Sequence, residues 1–352
     1  MPTLAEFGWD QHFQNLLDAG APPGSIPGRV SAQHRGAYVL FSEVGEMIGE
    51  LTGRLKRDAA NKAELPSVGD WVAFHPSPNT GRSQIVYVLP RRTRFARKEA
   101  GRMVQTSRRV KGTIHEQIIA ANIDFLFIVT ALNNEFKVRR LERYLPMAIE
   151  GGVTPVVLLT KSDLCDDPQP TIEQVRSVAP LLEVHVTSVV TGKGIDELAA
   201  YFKDHRTTAL VGSSGVGKST LINHLLGEDA LAVRETRIDD RGRHTTTWRE
   251  LLVLPNGGLI IDTPGLRELQ LWGADDAVGE TFPDLEEVAA NCRFRDCAHD
   301  REPDCALKAA VEAGTVDRGR FNSYMKLRHE LAALKTRSDY RSAVADKRHS
   351  PR

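Results

Sequence analysis

The chain has 352 residues, 41% of them hydrophobic and 26% charged, with zero formal net charge; it is long enough for two or three globular domains, and any nucleic-acid affinity has to come from a local basic patch. No uninterrupted apolar stretch is long enough to cross a bilayer, and the opening MPTLAEFGWDQHF lacks the basic-then-apolar order of a secretory signal. Four cysteines are too few for a disulfide framework and fit a reducing compartment, so a cytoplasmic location without a membrane partner is expected.

Residues 1–27 are polar with scattered apolar positions and read as a short helix or a loose arm. From Gly28 the texture is β: AYVLF, MIGELTG, DWVAF and QIVYV alternate with the turn-forming clusters PSVGD and SPNTGRS. Several strands packed this closely predict a small barrel of OB type over residues 28–97, with a plain β-meander as the alternative. A basic run follows, PRRTRFARKEAGRMVQTSRRVKG from Pro90 to Gly112, with Phe95 among its cations. Its core, 98–112, reads either as a surface for an RNA backbone or as a solvated connector. Residues 113–272 then alternate strand and helix. DFLFIVTAL, VTPVVLLT, LEVHVTS and TTALVG are apolar strands, with RRLERYLPMAIEGG, TIEQVRSVAPLL and GIDELAAYF as the helices between them. That alternation predicts a doubly wound α/β sheet, closed by a hairpin around Asn256-Gly257 in RELLVLPNGGLIIDTPG. Residues 273–335 turn acidic and then cysteine-bearing, and end in a helix, GRFNSYMKLRHELAALK; residues 336–352 form a polar tail.

LVGSSGVGKSTLIN (Leu210–Asn223) contains Gly212, Ser213, Ser214, Gly215, Val216, Gly217, Lys218, Ser219 and Thr220, the G-x-x-x-x-G-K-[ST] loop between an apolar strand and a helix. The glycines let successive backbone N–H groups converge on phosphate oxygens at a helix N-terminus. Lys218 reaches the outer phosphates, and Ser219 is placed to coordinate Mg²⁺. The nucleotide is read by a second string. Thr160, Lys161, Ser162 and Asp163 stand at the C-terminal end of the strand VTPVVLLT, where such sheets bind ligands. They are similar to the NKxD element of GTPases. Asp163 would accept from guanine N1–H and N2–H₂, with the Lys161 stem along the base and Thr187-Ser188 touching it through the backbone. Thr160 replaces the usual Asn and can supply only part of that amide's hydrogen bonding.

Asp262-Thr263-Pro264-Gly265 supplies a further phosphate-facing element, with Asp262 holding Mg²⁺ through water and the Gly265 amide sensing the third phosphate. RGRHTTT (Arg241–Thr247) reads as a switch, with Thr246 completing the Mg²⁺ shell. Ordinary GTPases place the phosphate loop first and the guanine element last, whereas here TKSD and Thr-Ser precede the loop. The order is rotated, as joining the old ends of a doubly wound domain and cutting elsewhere allows. Farther on, Cys292, Cys297, His299 and Cys305 crowd into NCRFRDCAHDREPDCAL and make a Cys₃His set suited to one tetrahedral zinc ion. Cys165 lies apart from them and reads as an incidental thiol.

Taken together, the barrel with PSVGDWV, ANID, TKSD, GSSGVGKST, GRHTTT, DTPG and the four cysteine and histidine ligands resemble the circularly permuted RsgA (YjeQ) GTPases over nearly the whole chain. The resemblance implies three parts: an OB-like barrel, a permuted P-loop GTPase domain and a helical zinc-binding domain. It also implies GTP/GDP, Mg²⁺ and one Zn²⁺ as cofactors. The small ribosomal subunit would be the partner that stimulates the GTPase, its rRNA contacted through the barrel and the zinc domain, with hydrolysis coupled to late maturation and release; a monomer is expected. Lys218, the loop amides and Mg²⁺ would stabilise charge on the transferring phosphoryl. Leu266 stands where Ras-like enzymes carry a water-orienting glutamine, so intrinsic turnover should be slow. His244 is the candidate for positioning the water, with a structural or RNA-facing role as its alternative. Two rivals remain from the residues alone: a nucleotide-gated RNA-binding checkpoint whose hydrolysis is incidental, and an ATP-using P-loop protein.

Overall fold

The opening stretch folds onto the barrel that follows it. In the computed structural model, which describes residues 3–34, 36–77, 82–99, 104–106, 109–111, 115–133, 136–227, 249–263 and 275–332, Asp10 caps helix α1 (Gln11–Gly20) by accepting from the His12 and Phe13 amides. Leu4, Phe7 and Phe13 are buried against Trp71, Ala73 and Leu89. Strands β1 (Ile26–His34), β2 (Ala37–Ser42), β3 (Gly45–Leu51), β4 (Trp71–His75) and β5 (Ser83–Val88) follow, with helix α2 (Gly53–Asp58) after β3. β1 pairs antiparallel with β2, β2 with β3, β5 with β4 and β4 with β1, while β3 and β5 run parallel. The ring is therefore closed by five strands in the order of an OB barrel. Val30, Leu40, Val72, Phe74 and Ile85 fill it, and a register shift between Val30 and Ala32 marks a bulge in β1.

PSVGD turns out to be the joint between barrel and α/β domain. Gly69 has φ +92°, and a Cβ there would lie 2.1 Å from the Ala121 carbonyl oxygen, so only glycine fits. Asp70, fully buried, accepts from Arg91 at 2.7 and 2.8 Å and from the Ser67 amide. Beside it, the buried Arg29 donates to the carbonyls of Phe7, Gly69 and Asn122. One guanidinium thus joins the opening stretch, the barrel and the start of the α/β unit. Burial pushes its pKa down to about 10, against the pull of Asp124 and Asp70.

The basic run enters a β-ribbon. β6 (Arg94–Glu99) pairs antiparallel with β9 (His115–Ala121), and between them β7 (Val104–Thr106) pairs with β8 (Arg109–Lys111). Phe95 is the buried residue that anchors β6, in the same core as Ile119 and Ala120 of β9.

Six strands make the α/β sheet: β10 (Phe125–Ala131), β11 (Thr154–Thr160), β12 (Glu183–Val186), β13 (Thr207–Val211), β14 (Glu250–Val253) and β15 (Leu259–Asp262). Their spatial order is β12-β11-β10-β13-β15-β14, parallel except for β14. Helices α3 (Val138–Glu150) and α4 (Gln169–Val178) follow β10 and β11, and a helix α5 covers 218–227 after β13. GIDELAAYF, read as an ordinary helix, belongs to a 3₁₀ stretch, Asp196–His205, whose backbone leaves helical angles at Lys203 and Asp204. At its far edge, β14 pairs with β1 at Glu250 and Ala32, so barrel and sheet share a ladder.

The C-terminal region is helical: α6 (Asp275–Thr281), α7 (Pro283–Ala289), α8 (Ala306–Glu312) and α9 (318–332). Phe282, Leu285, Leu307, Tyr324 and Leu327 form part of a core continuous with that of α3. The fully buried Glu142 of α3 pairs with Arg139 and with Arg320 from α9. Among the described residues, no helix is long and apolar enough to cross a membrane.

Candidate nucleotide site and cysteine–histidine cluster

The winding of the sheet reverses between β10 and β13: from β10 the chain steps outward to β11 and β12, and from β13 toward β15 and β14. A crevice at the C-terminal ends of these two strands is where open α/β sheets bind ligands. The glycine loop lies there. Gly212 has φ +150°, and a Cβ on it would lie 2.2 Å from the Val129 carbonyl oxygen, so the loop starts flush against β10. Lys218, 7% exposed, donates Nζ to the carbonyls of Gly212 and Ser213 at 2.7 and 2.6 Å, which bends its ammonium back over the loop. Burial lowers its pKa and Arg140 adds to that, while Asp262 opposes it. Ser214, Gly215, Ser219 and Thr220 are exposed, and Val216 is buried beneath them.

The guanine-type element is bound directly to that loop. The Thr160 hydroxyl donates to the Val216 carbonyl at 2.6 Å and lies 3.2 Å from the Thr130 carbonyl. One side chain therefore ties the end of β11 to the phosphate loop and to β10. Lys161 then takes a left-handed conformation, φ 59° and ψ 39°, uncommon for a residue with a side chain and a mark of a conformation the surroundings impose. The Ser162 amide donates to Thr187 O, and the Ser188 hydroxyl donates to the exposed Asp163 carboxylate. Thr187 and Ser188 are both 1% exposed. The structure thus brings Thr160 through Asp163, Thr187, Ser188 and the loop residues 212–220 to one end of the sheet. Asp262 and Thr263 close the far side of the loop strand, Thr263 Oγ1 donating to Leu210 O. His244, Thr246, Gly265 and Leu266 lie outside the described residues.

The Cys₃His set also converges. The ligand atoms of Cys292, Cys297, His299 and Cys305 lie within 4.8 Å of one another. Cys292 and Cys305 sulfurs are 3.9 Å apart, and His299 Nδ1 is 3.6 and 3.5 Å from them. A tetrahedron with zinc-length bonds has edges of about 3.8 Å between sulfurs and about 3.6 Å between sulfur and nitrogen, so the donor set fits such an ion. Burial, then the two adjoining thiols, push Cys297 up to about 11, and a dication is what lets all three sulfurs serve as thiolates. His299 holds its place through a left-handed backbone, φ 59°, and packs beside Tyr324, whose hydroxyl donates to Glu286 at 2.7 Å.

A family profile described as RsgA GTPase matches residues 88–272. The chain belongs to the RsgA GTPase family. A relative from Opitutus terrae, named small ribosomal subunit biogenesis GTPase RsgA, is 45% identical over 347 residues, covering 96% of this chain and 92% of its own. One of the same name from Syntrophotalea carbinolica is 41% identical, covering 98% and 94%. The solved structure of YjeQ from Thermotoga maritima superposes with a TM-score of 0.59 at 26% identity, over 88% of this chain and 99% of that one. YloQ, a circularly permuted GTPase, has the same fold (TM-score 0.56, 24% identity, 88% and 96% covered). As an RsgA GTPase, the chain hydrolyses GTP to GDP and phosphate, a reaction that takes a guanine nucleotide with Mg²⁺. The permuted order is visible in the sheet, because the strand bearing TKSD precedes the strand bearing the phosphate loop yet lies one strand beyond β10 from it.

In the sequence, Thr160 stands for a weakened version of an asparagine's work. Its bond to Val216 O was not legible, because it joins residues 56 positions apart. Asn122 of ANID carries no role legible in the sequence. Its side chain accepts from the Arg92 amide and donates to Gly69 O, clamping the barrel joint.

Proposed function

We propose that this RsgA-family GTPase binds the small ribosomal subunit and couples GTP hydrolysis to the subunit's late maturation and to its own release. The observation that carries the reading is the Thr160–Val216 bond, which makes TKSD and the phosphate loop two halves of one pocket. In this reading Asp163 reads guanine with Lys161, Ser162, Thr187 and Ser188 supporting it. Loop residues 212–220 hold the phosphates, and Ser219, Thr246 and Asp262 serve Mg²⁺. Gly265 senses the third phosphate, and His244 positions the water. The Cys₃His set holds zinc. The relatives' names supply the partner. The rRNA contacts fall to the barrel and the zinc-binding domain; on the barrel the exposed Arg54, Lys56 and Arg57 of α2 offer the basic surface, since the β2–β3 hairpin exposes Glu43 and Glu46 instead.

Two measurements test this. Purified small subunits should raise the GTPase rate by at least about tenfold, and the gain should fall as salt rises, because phosphate contacts release counterions. An unchanged rate would favour the checkpoint reading, which Leu266 supports. GDP should outcompete ADP, and Asp163→Asn should abolish that preference while leaving the fold intact. Equal affinities in the wild type would end the guanine assignment.

A further inference from the structure

Between α7 and α8 the chain forms no helix or strand, and all four ligands of the Cys₃His set lie there or at the mouth of α8. His299 is carried by AHDRE, residues 298–302. In that turn one carboxylate collects three amides. Glu302 Oε1 accepts from the Ala298 amide at 3.1 Å, and Oε2 accepts from the Asp300 and Arg301 amides at 3.0 and 3.1 Å. The amide of His299 itself donates to the Cys297 sulfur. The Glu302 side chain therefore grips the backbone on both sides of the histidine. Lys308 of α8 fastens the same turn by donating to Asp300 O at 2.8 Å.

His299 needs such a grip. Its φ of 59° is left-handed, a conformation that crowds any residue with a Cβ and persists only where the surroundings impose it. Its side chain is turned inward and only 4% exposed, while Ala298, Asp300 and Arg301 around it are exposed. Nδ1 lies 3.6 and 3.5 Å from the Cys292 and Cys305 sulfurs while the turn keeps this shape. Its own amide and then that of Ala298 hold the Glu302 carboxyl below the usual carboxylate range, so both oxygens are acceptors at neutral pH. Both are engaged with backbone amides, which makes Glu302 a brace of the turn rather than a fifth ligand.

We propose that Glu302 is a positioning residue for the metal centre, shaping the turn so that His299 Nδ1 completes the tetrahedron begun by the three sulfurs. The inference rests on the zinc reading of the Cys₃His set. Groups that orient a metal ligand are worth about 10- to 100-fold in metal affinity.

The experiment uses the full chain with Zn²⁺ alone, in competition with a chromogenic chelator. It compares wild type, Glu302→Gln, Glu302→Ala, His299→Ala and the double variant Glu302→Ala/His299→Ala. Glu302→Ala should bind Zn²⁺ about 10- to 100-fold more weakly than wild type. Glu302→Gln keeps one acceptor oxygen and should fall between the two; it carries the test should Glu302→Ala not fold. With Co²⁺ in place of Zn²⁺, the visible absorption of Glu302→Ala should move toward that of His299→Ala, because the nitrogen ligand is the one displaced. The double variant should bind Zn²⁺ within about twofold of His299→Ala, since Glu302 acts through the histidine. Zn²⁺ affinity in Glu302→Ala within about twofold of wild type overturns the proposal. So does a loss that adds in full to that of His299→Ala while the Co²⁺ spectrum stays put, because that pattern assigns Glu302 to general packing. A wild type that takes up no Zn²⁺ ends the zinc reading itself, and this assignment with it.

Discussion

Thr160 shows how a single hydroxyl sets the geometry of a site. GTPases with an NKxD element ordinarily use an asparagine at this position; here the shorter side chain reaches the Val216 carbonyl at 2.6 Å. Replacing it with valine keeps the volume and removes the donor, which leaves a buried carbonyl without its partner. That costs about 1–3 kcal/mol. Part of the cost is paid as nucleotide affinity, since the bond aligns the two halves of the pocket. Thr160→Val should therefore weaken GDP binding about tenfold, as read by calorimetry, while circular dichroism stays that of the wild type. Unchanged affinity would mean that the two halves align without this bond.

Among the elements, α3 has the most consequences, because it packs on the sheet and meets the C-terminal helices. Its buried Glu142 takes charge from Arg139 on its own helix and from Arg320, a side chain only 11% exposed, on α9. Breaking a buried pair by removing one partner strands the other charge, at about 3–5 kcal/mol. Glu142→Gln should accordingly lower the stability of the C-terminal region by about 3 kcal/mol in denaturant titration, and a loss under 1 kcal/mol would show that Arg320 is held well enough by Asp284 alone. How far these elements could be read from sequence follows from how local their signals are. The phosphate loop, the Asn256-Gly257 hairpin and the four metal-type ligands are each written within a short window, and the structure places them as their spacing suggests. The ribbon strand β6 was harder: from Arg92 to Arg97 only Phe95 is buried, and one apolar anchor among basic residues reads as a basic spacer. Arg29 and Glu142 were invisible for a different reason. A charged residue reads as surface until its partners, far along the chain, are known.

At the scale of the molecule, permutation changes what the nucleotide site is wired to. The strand β15 ends at Asp262, and the next element among the described residues is α6, the first of the C-terminal helices. Those helices return to pack on α3. On the opposite edge, the strand β14 shares a ladder with the barrel. Both added parts thus reach the α/β domain through its own elements, the C-terminal helices through α3 and the barrel through the edge strand β14. The Cys₃His cluster sits inside this circuit between α7 and α8, where its loop has little apolar core of its own, and metal binding there is folding free energy. Displacing the ion with an organomercurial should release one zinc per chain, detected with a chromogenic chelator. It should destabilise the C-terminal region by at least about 3 kcal/mol, lowering its melting transition by roughly 6–12 °C. GDP affinity should hold within about twofold, because the bonds of Thr160 run to Val216 and Thr130 and not to the cluster. If no metal is released, or if the transition stays in place while GDP binding collapses, the four side chains serve something other than a structural ion.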